Sequence, residues 1–193
     1  MKSYPDLACV FLAAGLSRRF GVENKLLDTV GGMPMARRSL LPFLSLGLKD
    51  IIVVLGHEAA EVRACLEDLP VRFVLNESYR EGMGASVACG FREMRNLDAK
   101  GCLVALGDLP GLRGEDVDLV CSAFAAACCE KVTLPRFEGV NGHPVCFPRR
   151  LFSELEKLSG DSGARNIVKR EKERIVVPVV HAGCIRDRDT KSF

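Results

Sequence analysis

Leu7-Ala8-Cys9-Val10-Phe11-Leu12-Ala13-Ala14-Gly15 is the stretch that decides the fold. Residues 7–13 form a short, unbroken apolar run that stops at a glycine, which reads as a buried β-strand. The same kind of run returns at 51–55, closed by Gly56, and again at 71–75 and 102–106. Between these runs the apolar residues switch to helical spacing, over 34–46, 58–66, 86–94 (with Ser86 near its cap) and 115–128. Beyond residue 130 the rhythm changes. Short strands are expected at 132–134 and 145–147, helices at 151–158 and 164–169, and a last strand at 175–180. Four strand–helix units followed by a mixed segment predict a three-layer α/β/α arrangement around a mostly parallel sheet. No repeat, low-complexity tract or linker interrupts the chain, so residues 1–193 read as a single domain.

Composition narrows the function classes. The 193 residues carry 27 Lys+Arg against 25 Asp+Glu, a net of +2, with no basic excess of the kind a nucleic-acid binder needs. Aromatic residues are 6% of the chain and Trp is absent, which leaves few platforms for stacking unpaired bases. Hydrophobic residues at 48% are enough for a core and too many for disorder. The nine cysteines contain no C-x-x-C pair and sit mostly among Ala, Val, Leu and Phe, so they read as reduced, small core residues. Lys2 and the apolar stretch to Leu16 imitate a secretory signal. Pro5 and Asp6 interrupt its start and Arg18 and Arg19 follow it, and it is shorter than a membrane span. A cytoplasmic protein without a membrane or nucleic-acid partner is the expectation.

In parallel α/β folds ligands sit beyond the carboxyl ends of the strands. Here the first strand runs into Ala13-Ala14-Gly15-Leu16-Ser17-Arg18-Arg19-Phe20-Gly21-Val22-Glu23-Asn24-Lys25. Small residues let the backbone approach a ligand and turn its N–H groups toward anionic oxygens. Arg19 and Lys25 add positive charge suited to a triphosphate and to charge that develops in phosphoryl-type transfer. Neither the P-loop spacing nor G-x-G-x-x-G is present. The fourth strand ends in Gly107-Asp108-Leu109-Pro110, where Asp108 is placed to hold Mg²⁺ or, more plainly, to stabilise a turn. The basic glycine loop on a neighbouring strand end favours the metal.

Leu12-Ala13-Ala14-Gly15-x-Ser17-x-Arg19-Phe20-Gly21-x-x-Asn24-Lys25-Leu26-Leu27 resembles the signature of the MobA-like nucleotidyltransferases, and within them the molybdenum cofactor cytidylyltransferases. The likeness continues through Gly82-Met83, Gly107-Asp108-Leu109-Pro110, Asn141-Gly142-His143-Pro144-Val145 and Gly160-Asp161-x-Gly163-Ala164-Arg165. It implies a Rossmann-like nucleotidyltransferase fold and transfer of CMP from CTP to the phosphate of a molybdopterin-type acceptor, with a molybdoenzyme as the partner ultimately served. Carried over, Leu12, Ala13, Ala14, Gly15 and Gly82 line the nucleotide site. Arg19 and Lys25 hold the triphosphate, Asp108 binds Mg²⁺, and His143 stands beside the acceptor. The guanylyl branch has a glycine where this chain has Ala14, whose methyl would narrow the pocket toward CTP rather than GTP.

Two departures stand out. The family's Gly-Met-Ser-Ser-Ser is Gly82-Met83-Gly84-Ala85-Ser86 here, two hydroxyls fewer. Asp187-Arg188-Asp189-Thr190 matches the start of the family's final acidic segment and offers Asp187 as a second metal or acceptor-site carboxylate. A sugar phosphate or polyol phosphate acceptor, and a non-catalytic cofactor carrier, are the alternative functions. His57 and His181 read as loop residues, and Cys146 and Cys184 as core.

Overall fold

The computed structural model describes residues 2–17 and 24–187. In chain order its elements are β1 (Leu7–Ala13), a small hairpin of β2 (Thr29–Val30) and β3 (Met33–Pro34), α1 (Met35–Leu44), β4 (Asp50–Leu55), α2 (Ala59–Ala64), β5 (Arg72–Leu75), α3 (Met83–Glu93), β6 (Gly101–Leu106), α4 (Gly114–Ala126), β7 (Thr133–Phe137), β8 (Val140–Asn141), β9 (Val145–Pro148), α5 (Phe152–Leu155), α6 (Arg165–Arg170) and β10 (Ile175–Pro178). The main sheet runs β10-β7-β9-β6-β1-β4-β5, with β8 paired to β7. Pairings on either side of β1 are parallel, while β9 runs antiparallel to both β6 and β7.

β1 shows why the sequence chose this architecture. All seven of its residues are buried, and the two-residue period of a strand sends them alternately to opposite faces. Leu7, Cys9, Phe11 and Ala13 join a core with α1, α2 and α4, where Phe11 meets Phe43 edge-on at 6.3 Å. Ala8, Val10 and Leu12, with Ala14 just beyond the strand, join a second core with α3, α5 and α6, where Phe91 meets Phe152 at 5.1 Å. A strand covered on both faces must be apolar throughout, so the unbroken run and the three layers have one cause.

Several expected boundaries shift. The helix expected from 86 begins at Met83, so Ser86 lies inside its first turn, where its hydroxyl accepts from Asn76 Nδ2 at 3.0 Å instead of capping. The strand expected over 175–180 ends at Pro178, and Val180 is left exposed. Residues 151–158 give only the short α5, entered through a 3-10 turn at Arg149–Leu151. The β2–β3 hairpin turns through Gly31 and Gly32 at φ 59° and 84°. That backbone suits glycine and closes a two-residue loop with the twist of the strands. All nine cysteines are free thiols, eight of them buried or half-buried.

Candidate active site

The chain leaves β1 toward β4 and β5 and returns on its other side as β6, so the order reverses between β1 and β6 and a crevice opens at their carboxyl ends. Leu12 is in register with Leu106, and Gly107 N donates to Leu12 O at 2.9 Å. The resulting cleft, of about 410 Å³, is lined by Leu12, Ala14, Gly15, Lys25, Gly82 and Asp108, and also by Ser17, Tyr79, Arg80, Met83, Ser86, Asp161 and Asp187.

The loop after β1 is organised from its ends. Ser17 adopts φ 51°, a left-handed conformation uncommon for a non-glycine residue. Its hydroxyl accepts from Lys25 N at 3.0 Å and donates to Asn24 Oδ1 at 3.2 Å. Asn24 Oδ1 also caps the 3-10 turn Lys25–Leu27 by accepting from Leu26 N at 3.1 Å, and its amide donates to His57 O at 3.2 Å. Lys25 thus leaves the turn at a fixed point, and its Nζ donates to Asp108 Oδ2 at 2.6 Å, with both side chains largely shielded from water. The other carboxylate oxygen, Asp108 Oδ1, is buried and has no hydrogen-bond partner among the described residues.

Of the residues singled out from the sequence, Leu12, Ala14, Gly15, Lys25, Gly82, Asp108 and Asp187 meet in the cleft. Arg19 lies outside the described residues. Ala13 does not line the cleft. The strand's alternation turns it into the α1/α4 core, where it is 1% exposed. Ala14 exposes only 3% of its surface and faces Gly56, where an added Cβ would stand 2.8 Å from that of Ala14. Its methyl therefore packs against the neighbouring strand end more than it narrows the cleft. His143 is also outside the lining. Its Nδ1 lies 3.3 Å from Val104 O and its backbone N–H donates to Cys184 O at 2.9 Å. Burial lowers the imidazole's pKa, which the Val104 carbonyl and the charge of Asp108 partly oppose.

Tyr79, Arg80 and Ser86 were not read as site residues. Tyr79 and Arg80 lie in a 3-10 turn with a cation–π contact of 5.1 Å between them, and no periodicity marks such a turn. Asp161 had a signal, the glycines around it. Gly82 at φ 116° touches the Gly160 carbonyl, and Gly84 N donates to Gly160 O at 2.7 Å. The loop bearing Asp161 is thereby seated on the first turn of α3.

Lys25 and Arg80 bring two positive charges to the described lining, against three negative ones from Asp108, Asp161 and Asp187. A triphosphate entering such a cleft needs further cations. Asp108 and Asp187 both line this space with hard carboxylate donors, and one Asp108 oxygen has no hydrogen-bond partner among the described residues, so the residues fit a divalent ion. Among the described residues no group of three or more His, Cys, Asp and Glu is arranged for a metal. Mg²⁺ suits this sparse arrangement, because it is commonly held by one or two carboxylates with water and substrate phosphates completing its shell.

Residues 9–175 match the family model of the MobA-like NTP transferase domain. The chain belongs to that family. As a MobA-like protein it is 33% identical over 172 residues to the purine catabolism protein PucB of Bacillus subtilis (strain 168), covering 86% of this chain and 82% of PucB. It is 30% identical over 175 residues to nicotine blue oxidoreductase of Paenarthrobacter nicotinovorans, covering 86% and 84% respectively. Among solved structures, Rv0371c of Mycobacterium tuberculosis H37Rv superposes with a TM-score of 0.81 at 27% identity, over 98% of this chain and 95% of the other. The manganese complex of Rv0371c has the same fold, with a TM-score of 0.73 at 24% identity over 90% and 87% of the two chains. The MobA-like chain is thus a nucleotidyltransferase by family, with the α/β/α layers expected of that fold. Among its described residues no helix is long and apolar enough to cross a membrane.

Proposed function

We propose that this chain is a metal-dependent cytidylyltransferase of the cytoplasm that joins CMP, taken from CTP, to the phosphate of a molybdopterin-type acceptor. The observation that carries the reading is the Lys25–Asp108 pair at the β1/β6 crevice, with one carboxylate oxygen left orphaned. In the reaction an oxygen of the acceptor phosphate attacks the α-phosphorus of CTP. The bond from that phosphorus to the β-phosphate bridging oxygen breaks, a diphosphate link forms, and pyrophosphate leaves. The nucleophile is already an anion, so the chain needs no Ser-His-Asp relay and contributes position and charge.

Lys25, held by the Ser17–Asn24 network, turns its ammonium from Asp108 toward the triphosphate and stabilises charge on the departing pyrophosphate. Arg19 is assigned the same task from the sequence. The backbone at Leu12, Ala14 and Gly15, with Gly82 across the cleft, receives the nucleoside. Asp108, with Asp187 as second carboxylate, would hold Mg²⁺, which when bound offsets phosphate charge and orients the reacting groups. His143 is assigned to the acceptor from the sequence; its imidazole is buried beside the Val104 carbonyl, outside the cleft lining. The preference for CTP rests on the His143 and Asp161 segments quoted above, since the methyl of Ala14 is taken up by Gly56.

A pyrophosphate-release assay with CTP, GTP and ATP against purified molybdenum cofactor tests the proposal. Turnover with CTP and cofactor is expected; turnover only on sugar or polyol phosphates would replace the acceptor. A second reading follows from the relative named nicotine blue oxidoreductase. Oxidation or reduction of nicotine blue without pyrophosphate release would favour it.

A further inference from the structure

Two chain segments each carry one cleft carboxylate, and they meet a second time well outside the cleft. The first runs from Asp108 past Gly111 to Asp116 in the first turn of α4. The second runs from His181 through the 3-10 turn Ala182–Cys184 to Asp187. At one meeting point Gly183 lies against Gly111, so closely that an added Cβ would collide with the Gly111 carbonyl oxygen. At the other, His181 Nδ1 faces Asp116 Oδ2 at 3.5 Å, with Glu115 Oε1 at 3.8 Å. Asp116 is 2% exposed. Neither its Oδ2 nor His181 Nδ1 has a hydrogen-bond partner among the described residues. A buried carboxylate is costly without a compensating group, and the imidazole edge is the group that stands beside this oxygen. Cys184 O, accepting from His143 N at 2.9 Å, ties the same turn to the loop before β9.

We infer that His181 and Asp116 are positioning residues: their contact, with the Gly111–Gly183 packing, fixes the separation of Asp108 and Asp187 and so tunes the divalent-ion site. The inference rests on the metal-dependent reading above. Such a pair acts on ligand orientation, and losing a partner that orients a metal ligand typically weakens metal binding about 10–100-fold.

The experiment titrates MnCl₂ into the CTP-loaded protein and follows free Mn²⁺ by EPR. His181→Ala is expected to weaken Mn²⁺ binding about tenfold, and His181→Gln, which keeps a polar N–H group of similar reach beside Asp116, by less than about threefold. On an Asp187→Asn background, His181→Ala should add less than about twofold, because its route to the metal is gone. Gly183→Ala, which parts the segments at their other contact, carries the same test if His181→Ala does not fold. Unchanged Mn²⁺ binding in His181→Ala, or full additivity with Asp187→Asn, overturns the inference alone. Failure of both His181→Ala and Gly183→Ala to fold makes these contacts supports of the fold and also overturns it. Absence of Mn²⁺ binding by the CTP-loaded wild type overturns the metal-dependent reading and this inference with it.

Discussion

Gly84→Ser puts back one of the hydroxyls that the MobA-like pattern carries after Gly-Met. Here the position is packed shut: an added Cβ would stand 2.7 Å from the Ser159 carbonyl carbon and 2.9 Å from Gly160 O, and would overlap Ser159 O. The Ser159–Gly160 backbone must retreat, which stretches or breaks the 2.7 Å bond from Gly84 N to Gly160 O. Loss of that hydrogen bond costs about 1 kcal/mol, and forced overpacking about 1–3 kcal/mol. Serine's better helix propensity returns roughly 0.5 kcal/mol. The net is about 1.5–3.5 kcal/mol, which for a chain of this length lowers Tm by about 3–14 °C. The displaced loop moves the Asp161 charge within the cleft, so KM for CTP should change as well. Thermal unfolding followed by circular dichroism, with pyrophosphate release on the same samples, measures both. A Tm within about 1 °C of wild type with an unchanged KM would refute the claim that glycine here serves to seat the Asp161 loop.

Lys25→Met should lower kcat/KM for CTP about 10²–10³-fold, the scale of removing one charge-stabilising donor, as read by pyrophosphate release. Asp108→Ala should abolish turnover while the far-ultraviolet dichroism stays that of the wild type; retained activity would remove Asp108 from the metal role. For His143 the folded pKa lies below the ordinary 6.5, so the unfolded chain takes up its proton first as pH falls. Its contribution is therefore fully present above pH 6.5 and is lost on acidification toward the folded pKa. Urea midpoints at several pH values between 7.5 and 5 should fall more steeply for wild type than for His143→Asn; parallel slopes would contradict this sign.

The parts of the fold legible in the sequence are those fixed by burial. β1, β4 and β6 announce themselves as apolar runs because both faces of the sheet are covered. The antiparallel course of β9 was not legible, since four buried residues read the same in either direction. The β2–β3 hairpin was missed because two-residue strands have no period, although Gly31-Gly32 is a turn signal. Within the site, Lys25 and Asp108 were legible as charges placed just beyond strand ends. Tyr79 and Arg80 were not, because only the packing of their turn against the β1 loop turns them to the cleft. Ala13 shows the opposite case, a motif residue whose side chain turns into the core. A motif places the backbone, but whether a side chain faces ligand or core depends on strand parity and local packing.

Ser17 and Asn24 are joined to each other and to the start of the Lys25 turn by three hydrogen bonds of 3.0–3.2 Å. The cost of holding Asn24 and the start of the Lys25 turn in place is therefore met when the chain folds, not when a nucleotide arrives. Ser17→Ala or Asn24→Ala would return that cost to the binding step and so weaken every triphosphate ligand alike, whatever its base.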